Sequence, residues 1–261
     1  MRCSNFLTVV MFCAVAAAGC GASEATEKAV RRSERFYEAA SISWYDEGNV
    51  LAAIRNLVRA IETNPDNDEA HYLLGIIRLS RNELDEAEKH LREAIRLRTN
   101  RDPAGLAGAQ NNLGVVLIHQ KRYPEAIEVL KLSAGEVMNR EPWLAYGNLG
   151  WAYIETGELD LAIDVLKRAM FDQPKYCVGL FRMGQAQYLK HDYESAESSL
   201  RKAVSIEEPG CNQIQEAYHL LGMSLIRQEN IEEAKAALLR CEEIDEVSVT
   251  GLKCAKARNS L

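Results

Sequence analysis

The sequence predicts an all-α fold, a solenoid of about six helical hairpins closed by a C-terminal capping helix. Two observations predict it. Gly recurs at Gly75, Gly114, Gly150, Gly184 and Gly222, with spacings of 39, 36, 34 and 38 residues, and Ala stands twelve residues after each, at Ala87, Ala126, Ala162, Ala196 and Ala234. An earlier copy carries Ser41 with Ala53 at the same offset, which makes six units of solenoid period. Within each unit the apolar residues recur at helical spacing, break after a Gly, Asn, His or Lys, and resume at helical spacing. Each unit is therefore a hairpin of two helices. No unit could bury its apolar face alone, so the hairpins must stack.

The N-terminal twenty residues, MRCSNFLTVVMFCAVAAAGC, have one early Arg2, an apolar run from Phe6 to Ala18 and small residues before Cys20. That pattern reads as a secretory signal over 1–19, too short to span a bilayer. The ending Ala17-Ala18-Gly19-Cys20 resembles the bacterial lipobox. The resemblance implies cleavage before Cys20, diacylation of its thiol and attachment to a lipid bilayer, with 20–33 as anchor and short linker. Gly21, rather than Asp, after the Cys implies outer-membrane sorting by the enteric rule.

The hairpins follow over 34–245, starting near 34, 68, 107, 143, 177 and 215, with DPAGL before Ala107 as a short insertion and a capping helix and tail over 246–261. The unit from Trp143 carries Tyr146, Leu149, Gly150, Tyr153, Gly157, Ala162, Leu166, Ala169 and Pro174. The unit from Glu34 carries Tyr37, Trp44, Gly48, Ala53, Leu57, Ala60 and Pro65. These residues resemble the tetratricopeptide repeat, with Thr99, Met138 and Glu208 replacing the terminal Pro in other units. The resemblance implies a right-handed superhelical solenoid that binds other proteins. Its small Gly and Ala positions let two helices approach closely while large residues fill the space beside them.

On the first helix of a hairpin, the repeat's fourth, seventh, eighth and eleventh positions serve the core. At 100° per residue the second, fifth, sixth, ninth, twelfth and thirteenth point the other way. That face carries Tyr72, Leu73, Ile76 and Leu79, then Val115 and Ile118, Trp151 and Ile154, and Tyr188 with Leu189; Asn111, Asn112 and Asn148 lie beside them. An exposed apolar strip of this extent marks a partner groove, the amides meeting a peptide backbone and the apolar floor taking side chains. The opposing expectation is that tighter coiling, or an N-terminal segment folded back on it, makes the strip core. Trp151, with Ile118 and Asn148, is expected at the centre.

Cys177, Cys211, Cys241 and Cys254 remain after the signal and the lipid site, and four Cys in an exported chain suggest two disulfides with three possible pairings. Cys177 and Cys211 fall at one edge of successive hairpins, while Cys241 ends the last hairpin and Cys254 lies in the cap. That placement favours 177–211 and 241–254. No CxxC pair suggests zinc or redox chemistry, so neither a metal nor a cofactor is expected. His71, His90, His119, His191 and His219 are scattered and no HExxH or GxSxG occurs, which argues against an enzyme. The formal charge of −7, or −8 once Arg2 is removed with the signal, excludes a nucleic-acid footprint.

An N-terminal lipobox, six such repeats, NNLG in the third and a Cys-bearing C-terminal end together resemble the type IV pilus pilotins. That resemblance implies a lipid-anchored adaptor with a periplasmic repeat domain, assisting outer-membrane assembly of the pilus secretin, with secretin subunits as partners. The alternative is a non-catalytic scaffold subunit of another envelope assembly.

Overall fold

The structure, a computed structural model, describes the backbone of residues 7–261 and the side chains from residue 24 onward. The Cys20 side chain and the start of the expected signal lie outside the described residues. Among the described residues there are thirteen α-helices and no strand. No helix there is long and apolar enough to cross a membrane. The chain divides into two compact units, residues 1–101 and 102–261.

In the first unit α1 (Leu7–Tyr45) pairs with α2 (Val50–Thr63), and α3 (Asp68–Ser80) pairs with α4 (Leu84–Arg98). The core is a row of small and branched residues, including Ala40, Ala53, Leu57, Ala60, Leu74 and Ile77. Asn49 and Asn67 cap α2 and α3, each side-chain oxygen accepting from the backbone N–H three residues on. Ser33 is fully buried, its Oγ donating to the Ala60 carbonyl at 2.7 Å and accepting from Asn67 Nδ2 at 2.8 Å. The first hairpin thus begins before Glu34, and residues 24–33 are helix rather than the expected linker.

In the second unit α5 (Pro103–His119) pairs with α6 (Tyr123–Gly135), α7 (Pro142–Thr156) with α8 (Leu159–Asp172), α9 (Cys177–Leu189) with α10 (Tyr193–Ser205) and α11 (Gln215–Arg227) with α12 (Ile231–Ile244). The capping helix α13 (Val249–Asn259) packs on α12 and α11. The DPAGL insertion is not a loop: Asp102 caps α5 through Gly105 N at 3.0 Å and Pro103 occupies its first turn, so the insertion lengthens the helix.

The Gly signal has a direct packing cause. A Cβ on Gly150 would sit 2.6 Å from Leu166 Cγ of the partner helix, so α7 and α8 touch with no side chain between them. Leu91, Leu130, Leu200 and Leu238 stand in the same relation to the other repeat glycines. Each hairpin reverses through one left-handed residue, Gly48, Asn82, Lys121, Gly157, His191 or Glu229, with φ between 59° and 80°. Both favoured disulfides are present, Cys177–Cys211 with Cα atoms 5.7 Å apart and Cys241–Cys254 with Cα atoms 6.1 Å apart. Cys211 lies in a 3-10 turn (Cys211–Gln213) ahead of α11, so its bridge ties successive hairpins, while the second bridge ties the cap. Gln215 supports the cap from below, its Nε2 donating to the Cys241 and Asp245 carbonyls at 2.8 Å each.

Candidate functional site

The first helices of successive hairpins in the second unit lie side by side, α5 on α7 and α7 on α9. Their shared inner face carries polar residues at equivalent or adjacent repeat positions. Asn148 Nδ2 donates to Asn111 Oδ1 at 2.8 Å, and Arg182 Nη1 donates to Asn148 Oδ1 at 3.0 Å. This ladder runs across three hairpins through one amide, Asn148, which is 8% exposed. Asn112 instead donates to its own helix, at the Gly108 carbonyl, 3.1 Å away.

Trp151 lies one turn beyond Asn148 on α7. The His119 ring meets it edge-on with centroids 5.3 Å apart, and the Arg182 guanidinium carbon stands 4.9 Å from the Trp151 ring centroid. Its Nε1 donates to Glu155 at 3.2 Å, and Glu155 also accepts from Tyr123 Oη at 3.3 Å. Trp151 is partly buried, with His119 exposed beside it. The site is therefore an aromatic plate held between a ring edge and a cation.

Arg182 is set by its surroundings. Burial pulls its pKa down and the Tyr176 hydroxyl pulls the other way, yet a guanidinium stays protonated at physiological pH. Burial in turn raises the Tyr176 pKa, with Arg182 opposing it. The Tyr176 ring fits where Gly147 and Gly179 lack side chains: a Cβ on either would lie within 2.6 Å of a ring atom. No carboxylate of the described residues lies within ion-pair distance of Arg182. The guanidinium is instead shared among Asn148 Oδ1, the Tyr176 hydroxyl and the face of Trp151.

Several expected groove residues are not surface. Leu73 is 2% exposed and belongs to the core formed with α1 and α2, while Ile118 and Ile154 are 3% and 6% exposed. Ile118 and Ile154 lie on α5 and α7, first helices that pack side by side. For these residues the tighter-coiling expectation holds, and Asn148 serves inside the ladder rather than as an open amide. Tyr72, Ile76, Leu79, Asn111, Asn112, Val115, Trp151 and Tyr188 keep partial exposure. Tyr72 lies under the Arg98 guanidinium at 4.4 Å from its ring centroid, and Arg98 is already paired with Asp68 and Glu69. Tyr188 packs edge-on against Tyr193, and the side chain covering Trp151 from α9 is Arg182. Sequence reading missed Arg182 and Tyr176. Arg182 occupies the repeat position of Asn112 and Asn148, and that shared position is the signal that finds it.

The described residues hold no cluster of three or more His, Cys, Asp or Glu side chains arranged for a metal ion. His71 and His90 form a buried pair in the first unit, Nδ1 to Nδ1 at 3.0 Å, with His71 Nε2 against the Pro65 carbonyl at 3.1 Å. They bridge α3 and α4 within the first unit.

Comparison with known proteins agrees with this architecture. The chain is similar to the structure of PilW, a widely conserved type IV pilus biogenesis factor, with a TM-score of 0.72 at 17% identity over 85% of this chain and 97% of that one. It is similar to Pseudomonas aeruginosa PilF with a TM-score of 0.67 at 18% identity, over 91% of this chain and 99% of that one. Among curated proteins it resembles a BBSome complex member BBS4 homolog of Drosophila melanogaster, 23% identical over 74% of this chain but spanning only 37% of that protein. Tetratricopeptide-repeat models match residues 45–110, 106–133, 144–170, 179–209 and 215–247. Hairpins joined through left-handed turns, a small residue at each helix crossing and family matches over most of the chain give one conclusion: this chain belongs to the tetratricopeptide repeat family.

Proposed function

We propose that the protein is a lipid-anchored adaptor whose second unit holds a segment of another envelope protein on the Trp151 face. In this reading Cys20 carries the lipid, the repeats face the periplasm from the outer membrane, and the partner is the type IV pilus secretin, whose assembly the adaptor assists. The observation that carries the binding role is the Asn111–Asn148–Arg182 ladder beside Trp151, which sets a cation with no carboxylate partner among the described residues against an aromatic plate. The lipobox-like Cys20 and the fold shared with two type IV pilus proteins support the location and the partner.

The test is secretin multimer formation in cells carrying Trp151→Ala, Arg182→Ala or Cys20→Ala, with each variant's thermal melt measured alongside. Trp151→Ala and Arg182→Ala should lose multimers while remaining folded. Cys20→Ala should lose labelled-palmitate incorporation and leave the membrane fraction. Normal multimers with a folded Trp151→Ala protein would move the partner to another surface. Normal multimers in a deletion strain would favour a scaffold of a different envelope assembly.

A further inference from the structure

The outer side of the second unit carries a groove of about 360 Å³ between α6 and α8, floored by Tyr146, Leu149 and Tyr153. Lys131 and Arg168 stand over two of those rings, 5.8 Å from the Tyr153 centroid and 6.0 Å from the Tyr146 centroid. Neither cation has a carboxylate within ion-pair distance among the described residues. Asp164 also lines the groove, at its exposed edge, where it stands 3.8 Å from Lys167 rather than within ion-pair distance of Lys131 or Arg168. Leu161 lines the same groove at 45% exposure. Beyond Tyr146 the surface continues past Asp172 to Phe171, 87% exposed.

The chain contains its own control. The groove between α10 and α12, about 440 Å³, is the same structural place two repeats later, with Tyr218, Leu221 and Leu225 as its floor. There Arg201 replaces Lys131 and Glu233 replaces Leu161, and Arg201 pairs across the groove with Glu233 and along its own helix with Glu197. Arg240, the counterpart of Arg168, pairs with Glu243 at 3.2 Å. One groove is neutralised from within. In the other, an apolar side chain stands where the carboxylate would be and both cations are left to an outside partner.

We propose that the α6–α8 groove is a second docking site, distinct from the Trp151 face, for an acidic amphipathic segment of a partner protein. Its carboxylates would replace the missing Glu233 counterpart at Lys131 and Arg168, and its apolar side chains would cover Leu161 and Phe171. Charge complementarity selects this occupant. The chain as a whole carries −7 and repels acidic segments, so two uncommitted cations over aromatic rings provide a local exception.

The experiment measures fluorescence anisotropy of three labelled helical peptides of equal length, Leu/Glu, Leu/Gln and Leu/Lys, on the full-length chain. The Leu/Glu peptide should bind, with Leu/Gln about tenfold weaker and Leu/Lys weaker still. Leu161→Glu, which installs the internal carboxylate at an exposed position, should weaken the Leu/Glu peptide by about tenfold with an unchanged melting temperature. Arg168→Gln should do the same by removing a cation, which keeps the test open if Leu161→Glu misfolds. Trp151→Ala should leave this binding intact. Equal binding of Leu/Glu and Leu/Lys, no binding of Leu/Glu, or wild-type binding by both groove variants would overturn the proposal. So would sedimentation showing that the unliganded chain dimerises and Leu161→Glu does not, since a second copy would then fill the groove.

Discussion

Trp151 and Leu149 are two residues apart on α7 and do opposite work. Leu149 is 3% exposed inside its hairpin, whereas Trp151 is partly exposed between His119 and Arg182. Leu149→Ala should therefore cost about 2–5 kcal/mol of stability by leaving a cavity. Gly150→Leu should unfold the hairpin, because any Cβ there meets Leu166. Trp151→Ala should melt close to wild type, a comparison made by circular dichroism on the purified variants. Asn148→Leu should cost about 1–3 kcal/mol, because it strands two partly buried hydrogen-bond partners at once. Residue-level roles were only half legible in sequence. The helical angle put Trp151 on a face that keeps partial exposure, but it treats a helix as isolated. Ile118, Ile154 and Leu73 are buried, and how closely hairpins stack is not encoded in the periodicity of one helix.

The hairpins themselves were legible because their cause is local. A small residue at each crossing is fixed by sterics within one unit, so it repeats as a residue type, whereas the left-handed turn position repeats in conformation through Gly, Asn, Lys, His and Glu. The turn also exposes a mismatch: Lys121 holds φ at 60°, a conformation that a Cβ disfavours. Lys121→Gly should raise stability by about 0.5–1 kcal/mol, read as a higher melting temperature, and Gly157→Ala should lower it. The start of the first hairpin was misjudged because Ser33, its buried anchor, bonds to α2 and lies ahead of the recognisable repeat. The disulfide pairing was legible because each pair falls at one edge of adjacent elements. Cys241–Cys254 closes a separation of 13 residues and should be worth about 3 kcal/mol, so Cys241→Ala with Cys254→Ala should loosen α13 first, seen as faster amide exchange there.

At the scale of the molecule, stability should depend on pH through the His71–His90 pair. Burial lowers both pKa values, and that of His90 falls to about 4, with the His71 charge next in effect and Lys89 and Arg78 adding to it against Glu86. A depressed histidine pKa means that the unfolded chain binds more protons than the folded one between about 4 and the ordinary value of 6.5. The pair's contribution is therefore complete above pH 6.5 and is lost as pH falls through that window. His219, also lowered by burial, acts in the same direction. Glu83 and Glu93 are held below 4.5 by their arginine partners, so their contribution is lost only at lower pH. His90→Gln should flatten the fall in melting temperature between pH 6.5 and 4.5 relative to wild type, as a melt series in matched ionic strength would show.

On the proposed reading, the inner face of the second unit holds a protein partner. It is tested most directly by a photo-crosslinking side chain placed at His119, exposed and beside Trp151, in the full-length protein in its own cells. Position 119 should form an ultraviolet-dependent adduct with a secretin segment, lost when Trp151→Ala is added. A crosslinker at exposed Arg227 of α11, outside the ladder, should give no such adduct. An adduct that persists in Trp151→Ala, or a functional protein that crosslinks to the secretin from position 227 and not from 119, would contradict it.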